Sequence, residues 1–403
     1  MKVRIASAAM LLAALLSACA APAPAPSSQE TAGALSLTPV SFQQLPGWSS
    51  DRLSEAVVAF VRGCGRILTL APDTPMGGSG QAAALAGKAA QWNAVCMAAR
   101  ALPLGDDAQA RAFFEQNFQA YALTARSASP ALFTGYFEPE VAGSRSPLGP
   151  YQTPLLRKPN DLIQADLGAF SPEWKGRLLT GRVASGRFIP YYTRAEIDAG
   201  ALDSQRLALV WLADPIDAYF VQIQGSARVQ LPNGKLARFA YAAQNGWRYV
   251  PIGRILESRG ALKPDEVSMQ TVRAWLRAHP AEARGVMEAN PSYVFFRELL
   301  DYPPNFGPPG ALDIPLTPGR SAAVDRTFVP IGAPLWVATR NPLSGQPWQH
   351  LVMAQDLGSA IEGPLRTDLF LGWGKEAEDL AGHMRESGSE FLLLPRAMKT
   401  AGS

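Results

Sequence analysis

The chain has 403 residues, of which 47% are apolar and 18% are charged, and its formal net charge is +3. This length suits about two or three domains with cores of their own, and the apolar fraction argues against a disordered chain. A net charge so close to zero gives no electrostatic reason to expect nucleic-acid binding. The three histidines (His279, His350 and His383) are too far apart to form a cluster, and with three cysteines they match neither a zinc ribbon nor an HExxH helix. We therefore expect no metal and no cofactor.

The first residues have the features of a secretory signal. A positively charged start and an apolar stretch, residues 2–16, are followed by small residues and then by Cys19. Small residues before a cysteine are typical of a bacterial lipoprotein cleavage box, so we expect residues 1–18 to be removed and Cys19 to be acylated. The alternative is an ordinary signal peptide cut nearby. Ala20 stands where an Asp would signal inner-membrane retention, which favours anchoring by lipid at the periplasmic face of the outer membrane.

A tether precedes the folded body. Residues 19–38 include alternating Ala and Pro, a composition that favours an extended and semi-rigid chain. Cys64 and Cys96 are the cysteines that remain once Cys19 is acylated. In an oxidising compartment they either form a disulfide or stay as two buried thiols.

The first half of the body combines helices and strands. Apolar periodicity predicts helices at residues 50–64 and 106–121, and the aromatic residues of the second one (Phe113, Phe114 and Phe118) are expected in the core. Thr193 and Glu196 fit a capping box at the start of another helix. The apolar runs at residues 207–213 and 218–224 predict strands.

The second half becomes richer in strands. Residues 263–288 are predicted to be helical, and the Pro/Gly cluster at residues 301–310 predicts a domain crossing. Short strands are predicted at residues 333–338, 349–355 and 390–394, with a helix at residues 375–386 before the last of them. Many short strands with Gly/Pro turns favour a small barrel.

Three aspartates of the last third stand in apolar or glycine-rich surroundings: Asp325, Asp356 and Asp368. A carboxylate is disfavoured at such places unless it has a hydrogen-bond partner or a chemical role. Turns and helix caps account for most aspartates, so a structural role for any one of the three stays open.

A second polar cluster lies at residues 221–227, VQIQGSA. The alternation predicts that Gln222 and Gln224 share one face of a strand that leads into a turn at Gly225 and Ser226. Amide and hydroxyl groups near aromatic rings suit an uncharged polyhydroxy ligand. A polar edge strand would show the same alternation.

Six motifs occur in one order: residues 134–139 (TGYFEP), 224–226 (QGS), 290–296 (NPSYVFF), 325–326 (DR), 356–363 (DLGSAIEG) and 368–370 (DLF). Together they resemble the membrane-bound lytic murein transglycosylase A family, from about residue 125 to the C-terminus. The resemblance ends in that family's three-aspartate "3D" module, at about residues 320–395. The chain departs from the family pattern at Ser359 and Glu362, which replace a Gly and a basic residue. The spacing from Asp356 to Asp368 is also one residue longer.

The resemblance implies a mainly β fold with helices, of the α+β class. A double-psi β-barrel catalytic domain is expected from residues 39–138 and 302–397. A second, β-rich substrate-binding domain is expected to be inserted at residues 139–301, with a glycan groove between the two domains.

The resemblance also implies an activity on peptidoglycan, namely non-hydrolytic cleavage of the β-1,4 bond between N-acetylmuramic acid and N-acetylglucosamine, which leaves 1,6-anhydromuramoyl ends. The family's catalytic acid/base falls on Asp368 and its companions fall on Asp356 and Asp325, of which Asp325 is expected to hold barrel loops together. The residues expected to line the groove are Thr134, Gly135, Tyr136, Gln224, Gly225 and Ser226. The expected partners are glycan strands and, through Cys19, the lipid of the outer membrane, while complexes for wall synthesis or division stay open.

One catalytic carboxylic acid suffices for such a reaction because the sugar's own C6 hydroxyl is the nucleophile, and an intramolecular attack needs no positioned water. Two other functions remain open from the sequence. A hydrolase would use Asp368 and Asp356 as its two carboxylates, and a glycan-binding lipoprotein would use none.

Overall fold

The computed structural model describes residues 35–125, 129–174 and 176–396. The predicted signal peptide, the acylation site at Cys19 and most of the tether lie outside the described residues and stay predictions. Within these ranges, none of the helices has the length and apolar character needed to cross a bilayer.

The described chain is a mixture of strands and helices. The strands are β1 (Leu35–Val40), β2 (Phe118–Ala125), β3 (Ala131–Glu138), β4 (Glu140–Ser144), β5 (Thr153–Leu156), β6 (Ile163–Asp166), β7 (Leu178–Ala184), β8 (Arg187–Pro190), β9 (Ala208–Leu212), β10 (Ser226–Gln230), β11 (Leu236–Gln244), β12 (Val294–Glu298), β13 (Ser321–Val324), β14 (Pro334–Arg340), β15 (Pro347–Asp356), β16 (Arg366–Trp373) and β17 (Arg385–Pro395). The helices are α1 (Leu53–Ile67), α2 (Gly80–Ala86), α3 (Ala89–Arg100), α4 (Asp107–Asn117), α5 (Arg194–Asp198), α6 (Pro215–Gln224), α7 (Ile252–Ser258), α8 (Met269–Ala278), α9 (Pro280–Glu288) and α10 (Gly374–His383). The α+β class predicted from the sequence is confirmed.

The largest sheet closes on itself. Its strand order is β1-β2-β17-β14-β15-β13-β16-β3, and β17 also pairs with β3. Strands β17, β14, β15, β13, β16 and β3 therefore form a closed ring, in which β3/β16 and β13/β15 are the parallel pairs. Closure leaves these six strands without a free edge, as in a β-barrel.

Helices α1, α3 and α4 pack beside this barrel. Phe60 of α1 contacts three aromatic residues of α4 and β2, and the whole cluster is buried: Phe113, Phe114 and Phe118. A disulfide between Cys64 and Cys96 joins α1 to α3, which decides between the two states that the sequence left open.

The helix predicted at residues 106–121 is too long, because α4 ends at Asn117 and Phe118 begins strand β2. The backbone of β2 pairs with β17 on one side and with β1 on the other. Two neighbouring strands thus satisfy the hydrogen bonds of residues that are spaced for a helix. The predicted core positions of the three phenylalanines are nevertheless confirmed.

The second sheet has six strands in the order β12-β11-β10-β4-β9-β5, and a third sheet consists of β6, β7 and β8. All of these strands fall between residues 140 and 298, whereas the barrel strands come from before and after that range. The predicted domain limits at residues 139–301 stay a prediction.

The strand predicted at residues 218–224 is wrong, because these residues belong to helix α6. Asp214 caps the helix, since its side chain accepts a hydrogen bond from the Ile216 backbone (2.7 Å), and Pro215 occupies the first turn. Both are start signals for a helix. The helix is buried on more than one side, so its apolar run has no clear period, and Gln222 and Gln224 do not share a strand face.

Two further helix predictions need correction at their ends. The helix predicted at residues 263–288 consists of α8 and α9, which are separated at Pro280 because proline has no backbone N–H to continue the helix. Helix α10 ends at His383, and Arg385 already begins β17. The capping box of Thr193 and Glu196 is confirmed at the start of α5.

Candidate active site

Strand β13 holds Asp356 and Asp368 on either side of one small residue. Ala323 pairs with Asp368 of β16 on one side and with Asp356 of β15 on the other. Paired residues project to the same face of a sheet, so both carboxyl groups lie on one side of β13. Their Cα atoms are two strand spacings apart, about 10 Å.

A β-bulge puts Asp356 in this position. The register of β15 against β13 shifts between Ala322 and Ala323, which pair with Ala354 and Asp356, so that Gln355 is the extra residue. Gln355 is buried, accepts a hydrogen bond from the Ser321 hydroxyl and donates one to the Ala59 carbonyl. Bulges are common beside active sites because they redirect a side chain.

Asp368 is held from the neighbouring strand β3. Thr134 is in register with it, and the Thr134 hydroxyl donates a hydrogen bond to Oδ1 of Asp368. Oδ2 of Asp368 accepts no hydrogen bond from the residues that the structure describes. Burial raises the pKa of Asp368, and the charge of Arg366 and the Thr134 hydrogen bond oppose that rise.

Asp356 has both carboxyl oxygens engaged. The Tyr136 hydroxyl donates to its Oδ2 (2.7 Å), and the Ala311 backbone N–H donates to its Oδ1 (3.1 Å). Burial nevertheless raises the pKa of Asp356 to about 6, and the negative charge of Asp368 adds to the rise. Burial and these two carboxylates raise the pKa of Tyr136 well above its ordinary value, so Tyr136 keeps its proton and stays a donor.

Residues 134–136 of β3 serve two faces. Thr134 and Tyr136 point to the carboxyl groups, whereas Gly135 between them faces helix α10. A Cβ atom at Gly135 would lie 2.7 Å from Cδ1 of Leu371 and 3.0 Å from Cα of Ala381. The glycine therefore allows α10 to pack against the back of the strand.

The end of helix α6 meets β3 beside Tyr136. Oε1 of Gln224 accepts a hydrogen bond from the Phe137 backbone N–H (3.0 Å). Gly225 follows in the left-handed region with a φ of +78°, and a Cβ there would have no atom within 4 Å. Ser226 is buried at the start of β10, and Gln222 accepts a hydrogen bond from the buried Arg194 (2.8 Å) away from the aspartates.

Asp325 lies just beyond β13 and connects two loops. Its Oδ1 accepts a hydrogen bond from the Thr327 backbone (2.9 Å), and its Oδ2 accepts one from the Gly363 backbone (2.8 Å). Both acceptors thus hold the loop after β13 against the loop before β16. These bonds agree with the structural role expected for Asp325.

A buried ion cluster that was not predicted from the sequence lies at the end of β3. Glu138 is fully buried and accepts hydrogen bonds from Arg228 of β10 (2.9 Å) and Arg238 of β11 (2.7 Å). Both guanidinium groups also donate to the Phe306 carbonyl. The cluster joins the barrel to the six-stranded sheet and to the Pro/Gly segment. Two features of the sequence could have indicated this cluster. One is an acid at the end of an apolar strand, and the other is an arginine within each of two further strands.

A large cavity lies away from the aspartates. It has a volume of about 1130 Å³ and is lined by residues between 152 and 293, including Arg194, Trp211 and Met287. None of the three aspartates lines it. The carboxyl pair is the better candidate for acid–base chemistry, because it combines raised pKa values with hydroxyl donors at fixed positions.

Two half-buried carboxyl groups lie on one side of β13, and one of them has an oxygen without a donor among the described residues, an arrangement that suits acid–base chemistry. Family models match the chain in two places, the MltA specific insert domain at residues 132–297 and the 3D domain at residues 320–394. The crystal structure of a membrane-bound lytic murein transglycosylase from Agrobacterium tumefaciens shares 34% sequence identity and a TM-score of 0.79, covering 90% of this chain and 98% of that chain. The chain belongs to the membrane-bound lytic murein transglycosylase A family, as the motifs predicted.

Two relatives from Escherichia coli extend the comparison. The membrane-bound lytic murein transglycosylase A of strain K12 is 34% identical over 269 residues, which is 65% of each chain. The match thus spans just under two thirds of that relative's length. The structure of E. coli MltA with bound chitohexaose is similar with a TM-score of 0.60 and 28% identity, covering 90% of this chain and 92% of that chain.

Proposed function

We propose that this chain is a lytic transglycosylase that cleaves the β-1,4 bond between N-acetylmuramic acid and N-acetylglucosamine of peptidoglycan. The observation that carries the proposal is the pair Asp356 and Asp368, which lies on one side of β13 in a fold shared with this family. A relative binds chitohexaose, and we expect a glycan strand to bind beside the pair in this chain.

Asp368 is the proton donor and then the proton acceptor. Its free Oδ2 gives a proton to the glycosidic oxygen as the bond from that oxygen to C1 of the muramic acid breaks. The C6 hydroxyl oxygen of the same sugar forms the new bond to C1, and its proton goes to the Asp368 carboxylate. The products are a free N-acetylglucosamine end and a 1,6-anhydromuramoyl end, and no water is consumed.

Asp356 serves this cycle without touching the leaving oxygen. Two donors engage its oxygens and favour its ionised form, against the rise in pKa that burial causes. Two carboxyl groups that share a site titrate as a pair, and the charge on one favours the proton on the other. An ionised Asp356 therefore favours the acid form of Asp368 and stabilises the positive charge that develops on the sugar ring.

The remaining site residues have positioning roles in this proposal. Thr134 orients Asp368 and Tyr136 orients Asp356, whereas Gln224 fixes the end of α6 against β3 and Gly225 borders open space. A lipid anchor at Cys19 would keep the enzyme at the periplasmic face of the outer membrane. The relative from E. coli strain K12 is named as membrane-bound.

The mass of the digestion products tests the proposal. Purified peptidoglycan treated with the enzyme should yield fragments with anhydro ends, which are one water lighter than fragments with reducing ends. Reducing ends would show a hydrolase that uses both carboxylates and would refute the transglycosylase.

The variant Asp368→Asn supplies the matched control. It should release no soluble fragments and should still sediment with insoluble peptidoglycan. If wild type sediments with peptidoglycan and releases no product either, the chain is a glycan-binding protein and the proposal is wrong. Retention of most activity in Asp368→Asn would remove the role of Asp368.

A further inference from the structure

The three-stranded sheet has one face that is entirely apolar. Its register pairs β7 with β6 and with β8, so that the side chains which share a face can be read directly from the pairs. The positions on one face are Ile163, Ala165, Leu179, Gly181, Val183, Phe188 and Pro190. We call these seven residues the apolar face.

The apolar face is open to solvent. Leu179 is 50% exposed and Val183 is 58% exposed, and Phe188 and Ile163 are also exposed. The Phe188 ring lies over Gly181, where a Cβ would come within 2.7 Å of the ring. Large exposed apolar patches on a protein mark surfaces that bind a partner or a membrane.

The opposite face of the same sheet rests on the protein. Thr180 contacts Gly246, where a Cβ would lie 2.7 Å from the Thr180 side chain, and Arg182 packs over the Tyr192 ring at 4.2 Å. The sheet is thus held to the body from behind. The apolar face consequently points away from the body.

The segment between β6 and β7 enlarges the exposed apolar area. Phe170 is 76% exposed, and Trp174 is exposed as well. Two exposed arginines, Arg177 and Arg187, flank this area. Exposed aromatic and aliphatic side chains beside basic residues are typical of surfaces that insert into the interface of an anionic bilayer.

The character of the side chains argues for lipid over glycan. Sugar rings need aromatic faces with hydrogen-bond donors and acceptors next to them, whereas none of the seven residues of the apolar face has a polar side chain. The predicted tether also keeps a bilayer within reach. From Cys19 to the start of β1 at Leu35, the chain can span no more than about 58 Å when fully extended.

We propose that the apolar face docks on the phospholipid surface to which the chain is tethered. Phe170, Trp174, Leu179 and Val183 would enter the boundary between headgroups and acyl chains, and Arg177 and Arg187 would contact anionic headgroups. Docking would give the body a fixed orientation that a flexible anchor alone does not provide.

A single labelled thiol can test this docking. Cys64 and Cys96 are joined in a disulfide and Cys19 is the predicted acylation site, so Leu179→Cys adds a thiol that can be labelled selectively. The acylated full-length protein, carrying a fluorescent probe there, is reconstituted in vesicles of phosphatidylethanolamine and phosphatidylglycerol with nitroxide-labelled acyl chains. We expect loss of most of the probe's emission.

Two control variants make the result decisive. Leu343→Cys carries the same probe at an exposed leucine in the turn between β14 and β15, and we expect its emission to stay. Adding Val183→Asp to Leu179→Cys should restore the emission, with an unchanged melting temperature, because Val183 is exposed.

Three outcomes would overturn the proposal. The probe at Leu179→Cys could keep its emission, or the probe at Leu343→Cys could be quenched equally. In the third outcome, the emission at Leu179→Cys depends on protein concentration and the protein forms a dimer, which would show that a second copy covers the apolar face. None of these readouts depends on the proposed enzymatic activity.

Discussion

Strand β3 contacts two kinds of carboxyl group, and they differ in the donors that offset the cost of removing a charge from water. Glu138 accepts hydrogen bonds from two guanidinium groups, those of Arg228 and Arg238. Asp356 of β15 and Asp368 of β16 contact β3 a few residues further back, at Tyr136 and Thr134. They accept from hydroxyl and amide donors and from no guanidinium group that the structure describes.

The comparison shows how one strand separates a structural acid from a chemical one. Burial raises the pKa of Glu138, but two cations oppose that shift and hold the group in its place. The aspartates have hydrogen bonds that fix their position, and burial raises the pKa of each above its ordinary value. Perturbed carboxyl groups without a paired cation are the ones to expect at a reacting centre.

The largest effect should come from the isosteric change Asp368→Asn. It removes the proton donor and keeps the shape, so kcat on peptidoglycan should fall about 10³-fold, within the range of general acid–base catalysis. Burial of a neutral amide costs less than burial of a carboxylate, so the unfolding free energy should not fall. Turnover assays and denaturant titration check the two parts, and a large loss of stability would make Asp368 a structural acid like Glu138.

The equivalent change Glu138→Gln should act on stability. It leaves Arg228 and Arg238 buried without their anion, and breaking a buried pair in this way costs about 3–5 kcal/mol. Urea unfolding at pH 7 measures the loss. Glu140→Gln, at an exposed position two residues further on, should leave the unfolding free energy unchanged. A stable Glu138→Gln protein would contradict the structural role.

A third kind of carboxyl group, Glu390, makes the stability of the fold depend on pH. Glu390 is buried in β17, its Oε2 has no partner among the described residues, and burial raises its pKa to about 7. A raised pKa means that the folded state retains a proton that the unfolded state releases. Stability from this group is present below about pH 4.5 and is lost as pH rises through 7, by on the order of 3 kcal/mol.

The variant Glu390→Gln should remove this pH dependence. Its unfolding free energy should change less between pH 5 and pH 8 than that of the wild type, and the variant should gain most at pH 8. Denaturant titrations at both pH values give the difference. An identical pH slope in the two proteins would show that Glu390 ionises freely in the folded state.

The smallest effect is expected from Tyr136→Phe. Loss of the phenol removes a donor to Asp356 worth about 1.5 kcal/mol, so kcat should fall roughly tenfold. The donor favours the ionised form, so its loss should raise the pKa of Asp356 and move the acidic limb of the pH–kcat profile to higher pH. Tyr121→Phe on β2 is the control, and an unshifted limb would remove Tyr136 from the site.

Much of the site could be predicted from the sequence because its residues are local. The three aspartates, Thr134 and Tyr136 stand in short motifs, and the strands that bear them are bounded by Gly and Pro. Their spatial relations could not be predicted, since Ala323 and the bulge at Gln355 depend on pairing between distant strands. The pairing of Glu138 with two arginines about 90 and 100 residues away is of the same kind.

The errors in the fold have tertiary causes too. Residues 218–224 form a helix that is buried on more than one side, so that an apolar run carries no period by which a helix can be told from a strand. At Phe118, pairing with β1 and β17 overrides a helical spacing that continues from α4. Capping at Asp214 and Pro215 was the local signal that could have identified α6.

The position of Ala323 between the two aspartates has a consequence for how the family can vary. The hydrogen bonds between three paired strands set the separation of the carboxyl groups. The loop between Asp356 and Asp368 only connects β15 to β16. That loop can gain a residue, as it does here relative to the family pattern, without moving either group. Inserting one residue into the regularly paired part of a strand would instead shift its register and turn the side chains beyond it to the other face, so length is tolerated outside the ladder and fixed within it.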